Sequence, residues 1–155
     1  MIHAARLLLG VAGAQFILAT PTWAALEGPR GVGIAAVVWV PLLAAAFLIA
    51  GIFLVHSGRR DPRAVHLAVV FAGVVAAFSA TPATRFAATL SGVWQGAALA
   101  TVLRVEVFLP YGLWSFARGF PRAETPWDSW VDRVTRATLV IGSALALLHV
   151  VDRIR

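Results

Sequence analysis

The sequence has no cysteine, no lysine and few charged residues of either sign. Only 13% of its 155 residues are charged, against roughly 25% in soluble globular domains. The absence of cysteine excludes disulfides, thiolate metal sites, iron–sulfur clusters and cysteine nucleophiles. The sequence also contains no Walker loop, no dinucleotide-binding glycine pattern and no nucleophile elbow. We therefore predict that the protein is not an enzyme.

Apolar residues are abundant instead. They make up 60% of the chain, and the mean hydropathy is +0.84. A soluble domain of this size could not bury so much apolar surface, because small domains leave a large share of their surface in water. We predict a single all-α integral membrane domain over residues 1–155.

The apolar segments are long enough to cross a bilayer several times. A membrane-spanning helix needs about 20 mostly apolar residues. Five spans are predicted, with four as the alternative; the five lie at residues 5–26, 32–55, 64–80, 97–120 and 137–151. Pro41 and Pro110 fall inside the second and fourth spans, where proline is expected to kink a helix. Thr81 and Pro82 are expected to end the short third span.

The distribution of arginine predicts the orientation. All 13 basic residues are arginine, and the net charge is +6. Cytoplasmic loops of membrane proteins carry an excess of arginine and lysine. The larger group of arginines falls on one predicted side: Arg6, Arg59, Arg60, Arg63, Arg118, Arg122, Arg133 and Arg136. The smaller group falls on the other side: Arg30, Arg85, Arg153 and Arg155. This bias predicts an N-terminus inside, in the bacterial cytoplasmic membrane, and no basic motif indicates a nucleic-acid partner.

Arg104 and Glu106 are charged residues predicted to lie well inside a span, away from its ends. A charge at such depth costs about 2.5 kcal/mol or more, which makes it a candidate functional position. Two positions apart on an α-helix is about 200° of rotation, so the two side chains are expected to face opposite ways. Gln95 lies about three turns before Glu106 and is expected to share its face. The three residues predict either a proton or ligand site or a polar contact between helices, and Arg104 could instead extend outward to lipid phosphates.

Metal and cofactor ligands are not predicted, because the histidines lie near predicted span ends and have no metal-ligand spacing. The tryptophans fall into two groups. Four are predicted to anchor at the membrane interfaces: Trp23, Trp94, Trp127 and Trp130. Trp39 and Trp114 lie within spans, where they could contact a pigment, a quinone or a lipid tail. Small residues, including the Gly92 and Gly96 pair, predict close helix packing.

The segment from Leu109 to Pro121 reads Leu-Pro-Tyr-Gly-Leu-Trp-Ser-Phe-Ala-Arg-Gly-Phe-Pro. It resembles a helix in the multi-span amino-terminal regions of bacterial sensor histidine kinases and related regulators, over about residues 103–121. The matching positions are Leu109, Pro110, Phe116, Phe120 and Pro121, preceded by Arg104 and Glu106. This resemblance implies a membrane input module. The chain departs from that family because it has neither a phosphoacceptor-histidine helix nor an ATP-binding domain.

The sequence therefore predicts a non-catalytic accessory subunit that packs into a larger membrane complex, with respiratory and photosynthetic complexes as candidate hosts. The predicted partners are membrane lipids and other membrane subunits. The alternative is a sensor input module that lacks its own output domain. A third hypothesis is a small transporter that uses Arg104 and Glu106.

Overall fold

The computed structural model describes residues 1–25, 34–58, 60–91, 101, 103–120 and 128–154. Within these ranges the regular elements are all helical, which confirms the all-α prediction. Five α-helices follow one another along the chain: α1 (Ile2–Ala25), α2 (Ile34–Ser57), α3 (Pro62–Ala87), α4 (Leu109–Arg118) and α5 (Asp128–Ile154). A short 3₁₀ helix, Val105–Phe108, leads directly into α4.

Four of these helices, α1, α2, α3 and α5, are long and apolar enough to cross a membrane. The helices α3 and α5 extend further than predicted. Pro82 lies inside α3 and does not end it, and its carbonyl accepts a hydrogen bond from the Thr22 hydroxyl at 2.9 Å. The helix α5 begins at Asp128, well before the predicted start of the last span.

The predicted span at 97–120 is corrected to a broken segment. Residues 92–100 and 102 lie outside the described part of the chain, and the backbone at Arg104 is not helical, with φ −83° and ψ 84°. The helix α4 has 10 residues, or about 15 Å of length, which is half of the roughly 30 Å hydrocarbon core.

Pro110 helps to explain where this break ends. It lies in the first turn of α4, a position that proline favours, and not inside a longer helix as predicted. Proline has no N–H to donate to the carbonyl of Glu106. The N–H of Leu109 donates to that carbonyl instead, which closes the 3₁₀ helix.

The helix α3 lies at the centre of the bundle and contacts α1, α2, α4 and the 3₁₀ helix. Alanine and valine dominate its buried face, which allows the neighbouring helices to approach closely. The helices α1 and α3 run parallel: Thr22 and Pro82, which are bonded, each lie about 20 residues beyond the start of their helices. Residues on α1 and α3 can therefore be compared in depth by counting from Ile2 and Pro62.

The helix α4 runs antiparallel to α3. A Cβ added at Gly73 would lie 3.0 Å from Leu109 Cβ, and one added at Gly112 would lie 3.0 Å from Val70 Cγ2. The helix α5 then reverses direction again, because Arg118 at the end of α4 pairs with Asp132 near the start of α5. The segment from residue 88 to residue 120 therefore starts beside the last turn of α3 and ends beside the first turn of α3.

This arrangement gathers the starts of α1, α3 and α5 and the end of α4 at one end of the bundle, here called the arginine-rich end. The described arginines of the larger predicted group lie there: Arg6, Arg60, Arg63, Arg118, Arg133 and Arg136. Arg85 lies near the last turn of α3, at the opposite end.

Candidate functional site

A polar cluster lies at the middle depth of the bundle, where α1 meets the broken segment. Gln15 is fully buried, and its Nε2 donates a hydrogen bond to the carbonyl oxygen of Leu103 at 2.8 Å. Gln15 lies about 13 residues after the start of α1, or about 20 Å along its axis. The sequence signal for this contact was a single amide in an otherwise apolar span, but nothing in the sequence identified its partner.

Arg104 and Glu106 form an ion pair beside this cluster, between the arginine Nε and the glutamate Oε1. The prediction that they face opposite ways is wrong. It assumed an α-helix, but the backbone dihedral angles of Arg104 lie outside the helical region. The Arg104 side chain is 38% exposed and the Glu106 side chain is 18% exposed. Glu106 Oε2 is buried and has no hydrogen-bond partner among the described residues. Gln95, predicted to share this site, lies outside the described residues.

A cavity of about 440 Å³, here called the arginine cleft, opens at the arginine-rich end between α3, α4 and α5. Three arginines line it, together with the first residue of the chain and one histidine: Arg63, Arg118, Arg136, Met1 and His66. Hydroxyl groups line it as well, from Tyr111, Ser115 and Thr135. The edge of the His66 ring faces the Tyr111 ring, with 6.2 Å between the ring centroids.

Two aspartates partly neutralise the cleft from outside. Asp132 Oδ1 accepts from Arg118 Nη2 at 2.8 Å, and Asp61 Oδ1 accepts from Arg63 Nε at 3.2 Å. Neither carboxylate lines the cleft. The groups that face the cavity are therefore cationic or neutral.

An apolar cavity of about 340 Å³, here called the apolar chamber, continues from the cleft towards the middle of the bundle. The two cavities share Met1, His66, Tyr111 and Leu139 in their walls. The chamber reaches Leu103, the residue whose carbonyl binds Gln15. It therefore lies next to the cleft, and most of its wall comes from the first turns of α1 and α3.

A third cavity, of about 720 Å³, is a groove between α1 and α2. Gly10 and Gly13 contribute to its wall, and a Cβ added at Gly10 would meet no described atom within 4 Å. Arg6 and His56 line it near the arginine-rich end. The groove is thus a shallow apolar surface with small residues along one side.

The predicted tryptophan positions differ in their surroundings. Trp23 is buried in the last turns of α1, with its ring centroid 5.6 Å from that of Phe16. Trp130 is 46% exposed in the first turn of α5 and meets Trp114 edge to face at 6.0 Å. Trp39 is 68% exposed on α2. Trp94 and Trp127 lie outside the described residues.

Within the described ranges, no three histidine, aspartate or glutamate side chains come together as a metal-binding group. The chain matches no protein-family model, no curated protein and no solved structure.

Proposed function

We propose that this chain is a non-catalytic integral membrane subunit that packs with other membrane proteins in a larger assembly. The surface of α2 carries the proposal. Only 11% of its candidate span is buried within the fold, against 56% of the span in α3. Large apolar side chains project from this surface, among them Trp39, Ile49 and Phe53, each 67% or 68% exposed.

A second apolar surface lies on α5. Its candidate span is 17% buried, and Val140, Leu147 and Leu148 are each at least 64% exposed. The helix α2 contacts α1 and α3, whereas α5 contacts α4 and the 3₁₀ helix, so the two surfaces are separate. A subunit with two such surfaces could contact two neighbours in an assembly.

Lipid can cover apolar surfaces as well as another protein can. The groove between α1 and α2 is the feature that favours a protein neighbour over lipid. Small residues allow a second helix to approach the backbone closely in a membrane. The groove offers Gly10, Gly13 and Ala14 on α1, next to the exposed side chain of Ile52 on α2. We infer that a helix of another subunit packs here, in the bacterial cytoplasmic membrane, with respiratory and photosynthetic complexes as candidate hosts.

Site-specific photo-cross-linking in the native membrane tests this function. A photoreactive residue at Ile17, which lines the groove and is 70% exposed, is compared with one at Ala72, which is fully buried in α3. We expect Ile17 to give a discrete adduct with one membrane protein and Ala72 to give none. Adducts with lipid alone, together with a monomeric size in mild detergent, would contradict the proposal.

A sensor input module is the second candidate, and the arginine cleft favours it. A cavity at the arginine-rich end lies on the predicted cytoplasmic side, where an output partner would detect a bound ligand. The same cross-linking experiment with a probe at Ser57, which is exposed at that end, distinguishes the two. Capture of a kinase or cyclase at Ser57 without a groove adduct at Ile17 would favour the sensor.

The transporter hypothesis rests on Arg104 and Glu106. Their pairing within one chain is compatible with a structural role, since each charge has its counter-ion next to it. We therefore rank transport below the other two functions.

A further inference from the structure

We propose that the arginine cleft and the apolar chamber together bind one anionic phospholipid of the surrounding bilayer, with its head group in the cleft and the adjoining part of one acyl chain in the chamber. This site is distinct from the surfaces that support the proposed subunit function.

The charges of the cleft select an anion. Arg63, Arg118 and Arg136 line it from three different helices. Asp61 and Asp132 balance only two of these, from outside the cavity. Arginine binds phosphate through several parallel N–H groups, and the hydroxyls of Tyr111 and Ser115 in the wall supply further donors. A phosphate head group fits this set of donors.

The chamber continues from the cleft into apolar surroundings. Its residues on α1 end at Leu8 and those on α3 end at Val69, so it covers about the first 10 Å of both helices. One leaflet of a roughly 30 Å hydrocarbon core is about 15 Å deep. The chamber therefore accommodates the part of an acyl chain nearest the head group, and the rest of that chain extends into the bilayer.

The chamber is also placed where a lipid tail can enter from the bilayer. It lies between α1 and α5, and within the described residues these two helices do not contact each other. Leu7 and Leu139 line the chamber from the two sides and are 64% and 38% exposed. A soluble anion would use the cleft alone and would not need an apolar cavity with lateral access, so a bilayer lipid accounts for both cavities.

Binding of defined ligands to the purified full-length chain in detergent tests the proposal. The probes are phosphatidylglycerol, phosphatidylcholine and glycerol phosphate, with affinity measured by native mass spectrometry or by a shift in the unfolding temperature. We expect phosphatidylglycerol to bind at least about tenfold more tightly than the other two, which corresponds to about 1.4 kcal/mol.

Two pairs of variants on α5 locate the site. Arg136→Gln removes a cation of the cleft, and Arg133→Gln is its control, because Arg133 is exposed, bonds the Ser129 carbonyl and does not line the cleft. Leu139→Trp fills both cavities, and Val140→Trp is its control on the exposed side of α5. We expect each cavity variant to weaken phosphatidylglycerol binding about tenfold and each control to leave it within about twofold.

The unfolding temperature of each variant without ligand is measured alongside, and Leu139→Phe replaces Leu139→Trp if the larger side chain prevents folding. Equal losses in Arg136→Gln and Arg133→Gln would overturn the proposal, since they indicate nonspecific charge attraction. Tight binding of glycerol phosphate that is unchanged by the substitution at Leu139 would also overturn it, because the ligand would then be a soluble anion. Equal affinity for phosphatidylcholine would exclude selection by the arginines.

Discussion

The side-chain amide of Gln15 and the backbone carbonyl of Leu103 are joined by a 2.8 Å hydrogen bond across 88 positions of sequence. The same carbonyl accepts from the N–H of Val105 at 3.1 Å, in a tight turn outside any α-helix. Non-helical backbone deep in a membrane must find partners within the protein, because hydrocarbon offers none. Gln15 therefore stabilises the non-helical backbone at Leu103 and Arg104 that leads into the 3₁₀ helix.

Replacement of Gln15 by leucine tests this relationship. We expect Gln15→Leu to reduce the free energy of unfolding by about 1–3 kcal/mol, because the Leu103 carbonyl loses its best donor in a buried site. Thr20→Val is the control, since Thr20 is exposed and its hydroxyl bonds the Phe16 carbonyl of its own helix. Denaturant titration of both variants in detergent measures the difference. Equal stability of the two variants would show that the bond does not support the fold.

The ion pair of Arg104 and Glu106 gives a second prediction. Glu106→Gln leaves the arginine without its counter-ion and should cost about 2 kcal/mol, less than a fully buried pair because Arg104 is partly exposed. Replacing both residues with leucine removes both charges, so the double variant should be more stable than Arg104→Leu or Glu106→Leu alone. A double-mutant cycle on unfolding free energies measures this coupling. Additive losses would mean that the two side chains act independently.

The sequence was sufficient to predict the long helices because each signal is local: about 20 apolar residues identify a span wherever it lies. The break near Arg104 could not be predicted in this way, since it depends on Gln15 from another helix and on Pro110 acting at a helix start. Arg104 and Glu106 were identified because a charged side chain within a membrane span has a high free-energy cost. Their pairing, however, depends on backbone geometry. The arginine cleft had no local signal, because its walls come from separate segments that only the fold brings together.

Close packing at Gly142 gives a third prediction. A Cβ added there would lie 2.8 Å from the carbonyl oxygen of Val107, on the segment that leads into α4. Gly142→Ala should therefore force α5 away from the 3₁₀ helix and cost about 1–3 kcal/mol. Gly10→Ala is the matched control in α1, where no described atom lies within 4 Å of the added carbon, and it should be neutral or slightly stabilising. Thermal unfolding of both variants makes the comparison. A similar effect at both positions would contradict close packing at Gly142.

Asp61 gives a prediction about pH. It caps the start of α3, and hydrogen bonds from the side chain and the backbone N–H of Arg63 lower the pKa of its carboxyl. A lowered native pKa contributes stability that is complete above the ordinary aspartate pKa of about 3.9 and is lost as the pH falls through the native value. Asp61→Asn keeps an acceptor for the cap but cannot titrate. The difference in unfolding temperature between the two proteins should therefore shrink from pH 6 to pH 3, and a constant difference would contradict the assigned cause.

The orientation of the bundle in the membrane gives the last prediction. The sequence has no native cysteine, so a single introduced cysteine reports on one position. Ser57 is exposed at the arginine-rich end, and Thr89 is exposed just beyond the end of α3, at the opposite end. The positive-inside rule predicts that the arginine-rich end faces the cytoplasm. In intact cells, Ser57→Cys should resist a membrane-impermeant thiol reagent and Thr89→Cys should react, whereas both should react after the membrane is opened.

Labelling after the membrane is opened is the control for each variant, because a cysteine that is merely buried in the protein would stay unlabelled under both conditions. Labelling of Ser57→Cys from outside, with protection of Thr89→Cys, would invert the topology and would place the arginine cleft, with its lipid, in the outer leaflet.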